Sequence, residues 1–142
     1  MKEYLSFAPD KKLEIIEQIK KTLLKDEGVV FAFIFGSFLD TPSFRDIDIG
    51  IYVKDKKKEK FFDKEVELDK KIADACNLPF DIFEIKILNF APNIFLNNIF
   101  SRGELLFGRD DKLLSGLIES SSLEAVANEY VAYQSLKELI PV

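Results

Sequence analysis

Two aspartates one residue apart, Asp46 and Asp48, and a third further on, Asp81, are the side chains in this sequence best suited to chemistry. The pair lies in Arg45-Asp46-Ile47-Asp48-Ile49-Gly50-Ile51-Tyr52-Val53, whose first half alternates acid and apolar as a half-buried strand does. Residues i and i+2 of a strand share a face, so the two carboxylates project together with Cβ atoms roughly 6 to 7 Å apart. Like charges so placed repel, and burying them in a sheet is costly unless a cation compensates. Hard divalent ions such as Mg2+ take oxygen ligands of this kind. Asp81 opens a later strand, read over residues 80–87, and a neighbouring strand can carry it to the pair. Three carboxylates suit a two-metal site, with ions roughly 3.5 to 4 Å apart clamping an in-line phosphoryl or nucleotidyl displacement.

Gly36-Ser37 supplies a second element of the same chemistry. It ends the run Val29-Val30-Phe31-Ala32-Phe33-Ile34-Phe35, which is continuous, β-branched and aromatic, the pattern of a strand buried on both faces. A buried strand that stops at Gly-Ser before a turn presents backbone N–H groups and a hydroxyl to phosphate. Phosphate cradle and metal ligands therefore lie within one short stretch.

The remaining elements must position that stretch. Leu13, Ile16, Ile19, Leu23 and Leu24 recur at helical spacing from Asp10 to about Lys25, after a Pro9-Asp10 start signal. A second helical face, Phe61, Leu68, Ile72 and Ala75, lies within residues 59–76 and carries Cys76 as a small core residue. Residues 38–44 read as a polar connection. Pro92 opens a short helix to about Phe100, Gly103 ends it, and Glu104 to Phe107 reads as a short final strand. From Asp110 onward the chain is helical, with Ser120-Ser121-Ser122 as a candidate break and Ser121-x-x-Glu124 as a capping box for the last helix. Leu113, Leu114, Leu117, Ile118, Val126, Tyr130, Val131, Leu136, Leu139 and Ile140 are expected to pack on the sheet, the alternative being an apolar stripe for a partner. The expected fold is α/β (α+β): a mixed β-sheet flanked by helices. It forms a single domain over residues 1–142, with a core at about 10–110 and a helical tail at 111–142.

Composition narrows the chemistry further. The 142 residues include no His and one Cys, which removes Ser-His-Asp and Cys-His catalysis, His-ligated zinc and any intrachain disulfide. Carboxylates must carry any reaction. A formal net charge of −5 argues against general nucleic-acid binding, and the Lys54 to Lys60 run reads as a solvated loop or helix start. The longest apolar run, Val29 to Phe35, is too short to span a bilayer, and the N-terminal stretch lacks the pattern of an export signal. The expected location is cytoplasmic.

FGSFLDTPSFRDIDIGI, with the later FDIFEI, resembles the minimal nucleotidyltransferases (MNT type) of the polymerase beta superfamily. That family shows Gly-Ser after a hydrophobic strand, Asp-x-Asp on the next strand and a third Asp on a later one. The resemblance runs over roughly residues 31–110. SRGELLFGRD is similar to the family's closing stretch, with Phe107 where Tyr is common, and Phe38 stands where Arg is common. The resemblance implies that Gly36 and Ser37 hold the triphosphate. It implies that Asp46 and Asp48 hold both metals, and that Asp81 serves the second metal and the acceptor hydroxyl. The cofactors so implied are two Mg2+ ions, with ATP or another nucleoside triphosphate as substrate. The implied reaction is transfer of NMP, AMP from ATP foremost, to a hydroxyl. Small family members pair with a helical HEPN protein, as antitoxins that adenylylate a Tyr of the toxin, and resemblance implies such a partner here. Two alternatives stand beside this: an antitoxin that acts by binding alone over a degenerate nucleotide site, and transfer to a small molecule. A homo-oligomer is left open.

Overall fold

A computed structural model describes residues 4–139. After a two-residue strand β1 (Leu5–Ser6), helix α1 (Pro9–Leu24) begins with Pro at its first position, where the missing N–H leaves nothing unsatisfied. The apolar run then forms β2 (Val29–Phe35), and a four-residue helix α2 (Ser37–Asp40) follows the Gly36 turn. β3 (Ser43–Phe44) pairs antiparallel with β1, and β4 (Ile47–Val53) returns alongside β2. Helix α3 (Phe61–Cys76) ends on Asn77 in the left-handed conformation, a common way to close a helix without Gly. β5 (Phe83–Ile87), α4 (Asn93–Arg102), β6 (Glu104–Gly108) and α5 (Asp111–Leu139) complete the chain.

The four long strands make one mixed sheet in the order β5-β4-β2-β6. β2 is antiparallel to both β4 and β6, while β5 runs parallel to β4. Parallel neighbours need a crossover, and α3 supplies it. One face buries Ala32, Ile34, Ile47, Ile49, Ile51, Phe83 and Ile85 under α1 and α3, which contribute Ile15, Ile19, Leu23, Leu68 and Ile72. The other face carries Phe31, Phe33 and Leu88 against Leu96 and Ile99 of α4 and Leu114 of α5. The fold is thus a mixed α/β sheet flanked by helices with a C-terminal helix, as expected from the sequence.

Several local expectations change. Residues 38–44 are no plain polar connection: Phe38 and Phe44 are fully buried, meet edge-on at a ring-centroid distance of 4.8 Å, and tie α2 and β3 to the core. The three serines do not break the last helix. Ser120 and Ser121 donate their hydroxyls to the carbonyls of Leu117 and Ile118 three residues back, so the polar side chains are satisfied inside a continuous α5. Ser121 is therefore no N-cap. Nor does all of α5 pack on the sheet: Leu114 is buried, whereas Val126, Tyr130, Val131 and Leu136 are exposed. Ile140 lies outside the described residues.

The lysine-rich segment 54–60 is exposed, as expected, and contains a single 3-10 turn, Lys58–Lys60. Cys76 is buried, and burial pushes its thiol up to about 11. Among the described residues no helix is long and apolar enough to cross a membrane.

Candidate active site

The site is assembled where β2 ends and β4 begins. Antiparallel pairing sets Phe35 opposite Asp48, so the Gly36 turn leaves the sheet beside the second aspartate. Gly36 has φ +83°, a backbone shape L side chains rarely adopt, and a Cβ added there would collide with Asp48 Oδ2. Glycine is required on both counts. Ser37, exposed at the start of α2, follows directly.

Asp46 and Asp48 are both half-buried, and Asp48 lies on the face that bears Phe33 and Phe35. Parallel pairing sets Glu84 of β5 opposite Asp48, and Lys86 opposite Gly50. The acid that reaches Asp48 is Glu84, which hydrogen-bonds it. Burial, then the hydrogen bond and charge of Glu84, then Asp46, push Asp48 up to about 6, with Lys86 pulling the other way. Lys86 Nζ also lies 5.7 Å from the ring centre of Phe95, which meets Phe35 edge-on.

Asp81 does not open the strand. It is exposed in a 3-10 turn, Phe80–Ile82, that leads into β5. Glu84 is the residue that sequence reasoning missed, and a signal for it was present. Phe83, Ile85 and Ile87 are apolar and alternate with Glu84 and Lys86, so strand parity sends Glu84 to the face opposite Phe83. An unbroken strand from Phe80 would instead have grouped Asp81 with Phe83 and Ile85.

Lys12 is a second missed residue. From α1 its ammonium donates to the carbonyls of Phe38 (2.6 Å) and Thr41 (2.8 Å), and sits 5.0 and 5.3 Å from the ring centres of Phe38 and Phe44. It thereby pins the short segment between the Gly36 turn and Asp46. Arg45 lies over the Tyr4 ring at 4.4 Å and donates to Tyr4 Oη at 3.0 Å.

Asp48 has Glu84 opposite it and Asp46 two residues before it on its own strand, acids whose oxygens are the donors that a hard divalent cation such as Mg2+ takes. Among the described residues no three acids are arranged as a ready-made metal cage; the Asp48–Glu84 hydrogen bond holds two of the carboxyls together. Proton and cation are alternative answers to the same repulsion, so the donor set fits a metal that replaces the proton.

Residues 17–112 match the family described as polymerase beta, nucleotidyltransferase, which covers most of the chain, Gly36, Asp46, Asp48 and Glu84 included. The chain belongs to the polymerase beta nucleotidyltransferase family. No curated protein sequence matches it. Among solved structures, this nucleotidyltransferase-family chain resembles one from a tri-AMPylated Shewanella oneidensis HEPN toxin in complex with MNT antitoxin. The TM-score is 0.55 at 15% identity, over 92% of this chain and 97% of that chain. A chain from a toxin-antitoxin structure with AMP-PNP gives a TM-score of 0.61 at 17% identity, over 89% and 98% of the two chains. A chain from the toxin-antitoxin MntA-HepT gives 0.56 at 14% identity, over 94% and 100%. At these identities the likeness is one of fold.

Proposed function

We propose that this chain transfers NMP, with ATP as donor, to a hydroxyl of a protein partner, and that the partner is a HEPN-type toxin whose tyrosine is the acceptor. The observation that carries the reading is the collision that a Gly36 side chain would make with Asp48: phosphate turn and carboxylate cluster are one surface. Family membership and the complexes formed by proteins of like fold support it.

In this reading the Gly36-Ser37 turn binds the triphosphate, with the Ser37 hydroxyl available to a phosphate oxygen. Asp46, Asp48 and Glu84 hold divalent metal, and Asp81 stands at the entrance to β5, where an incoming acceptor passes. Bound Mg2+ supplies neutralisation of the phosphate charge and activation of the attacking hydroxyl. A carboxylate of the cluster takes the acceptor's proton. The acceptor oxygen forms a bond to the α-phosphorus, the bond to the β-phosphate oxygen breaks, and pyrophosphate leaves. No histidine is needed.

The test is transfer from ATP labelled on its α-phosphate, with Mg2+, in extract of the native host, comparing wild type with Asp46→Asn. Label on a discrete host protein with wild type alone is the expected result. A well-folded wild type that labels nothing while still binding and neutralising a partner would replace catalysis with binding.

A further inference from the structure

The second half of α5 carries large apolar side chains that the other described residues leave exposed. Leu123, Val126, Tyr130 and Tyr133 are each between 60% and 63% exposed. At about 100° per residue they fall on the side of the helix roughly opposite Leu114, Leu117 and Ser121, through which α5 meets the rest of the fold. The stripe is therefore not an extension of the core contact.

Its spacing says what can cover it. Glu119, Leu123, Val126, Tyr130, Tyr133 and Lys137 follow one another at intervals of 4, 3, 4, 3 and 4, the alternation of a coiled-coil seam. Reversed, the series has the same spacing, so two copies running antiparallel stack layer on layer. Val126 meets Tyr130 of the partner subunit, Leu123 meets Tyr133 of the partner subunit, and Glu119 meets Lys137 of the partner subunit. The charges at the two ends are thus opposite where antiparallel copies meet and alike where parallel copies would meet.

We infer that the second half of α5 is a homodimer interface in which two copies of this helix pack antiparallel along the Leu123–Val126–Tyr130–Tyr133 seam, closed at each end by Glu119 against Lys137 of the partner subunit. The arrangement is two-fold symmetric and self-complementary. It places Glu129 near its own symmetry mate, and that repulsion opposes association. The inference does not depend on the proposed transfer reaction.

Sedimentation equilibrium of the full chain tests it. The wild type is expected to dimerise, and Val126→Glu, which would bury two unpaired charges, is expected to weaken the dimer by about a hundredfold or more. Glu119→Lys and Lys137→Glu are each expected to weaken it about threefold to tenfold, and the double swap to restore it. Glu129→Gln is expected to tighten it. All these side chains are exposed in the monomer, so each variant is expected to keep the wild-type circular dichroism. A wild type that stays monomeric at every concentration overturns the inference, even if Val126→Glu abolishes binding to a different protein. So does a dimer indifferent to Val126→Glu, or single charge variants that the double swap fails to rescue.

Discussion

Asp48 and Glu84 stand opposite one another on adjacent parallel strands and share a hydrogen bond, two acids held together on one surface of the sheet. Burial first, and that pairing second, give Asp48 an unusual pH signature. Its folded-state pKa is raised from 3.8 to about 6, so between these values the folded chain keeps a proton the unfolded chain has released. The stabilisation is full below about pH 4 and lost as pH rises through about 6, on the order of 1 kcal/mol after allowing for partial solvation. Denaturant midpoints measured from pH 4 to 7 should show this loss in wild type and not in Asp48→Asn.

Glu84 and Asp81 separate by mutation. Glu84→Gln should leave the fold intact, bring the Asp48 pKa down, and lower NMP transfer by about a hundredfold or more, the scale of losing a metal ligand or its support. Asp81→Asn, in its exposed turn, should cost much less. Single-turnover rates and the carboxylate titration of Asp48 by NMR check the two together; equal losses for both variants would return Asp81 to the cluster.

Gly36→Ala forces a side chain into a positive-φ position and into Asp48. A destabilisation of about 2 kcal/mol or more is expected, with transfer lost even where the protein folds. Chemical denaturation gives the first quantity and the labelling assay the second.

Arg109 ties the start of the sheet to the end of α1. Its guanidinium donates to the carbonyls of Leu24 (2.5 Å), Asp26 (2.9 Å) and Val29 (2.7 Å), three backbone oxygens gathered where α1 ends and β2 begins. Arg109→Ala should lower stability by about 2 to 3 kcal/mol, and Arg109→Lys should recover part of it, since one ammonium cannot reproduce the fork. Thermal unfolding of the three proteins checks the order, with transfer per folded molecule unchanged.

The parts of this molecule legible in its sequence were those with a period or a stop. Val29–Phe35, Ile47–Val53 and α1 announce themselves by apolar runs, alternation or helical spacing, and Gly36 marks where the first strand must turn. The β1–β3 pair was invisible because two-residue strands carry no period, and its partners lie far apart in sequence. Asp81 was misplaced on the strand because a 3-10 turn shifts the phase of the strand after it, and the face on which a carboxylate emerges depends on that phase. Lys12 gave no local sign of its role, since the carbonyls it reaches belong to residues more than twenty positions away.

The 54–60 segment leaves β4 at the end remote from Asp48, across five strand residues, or about 17 Å. Its exposed lysines are natural points of attack for trypsin. A chain nicked there would remain a noncovalent assembly of two fragments. The turn and both aspartates would travel with the N-terminal piece, and Glu84 would travel with the C-terminal one. Neither fragment alone would hold all three carboxylates, so the isolated halves would form a split protein whose reconstitution could be followed by the return of Asp48's raised pKa.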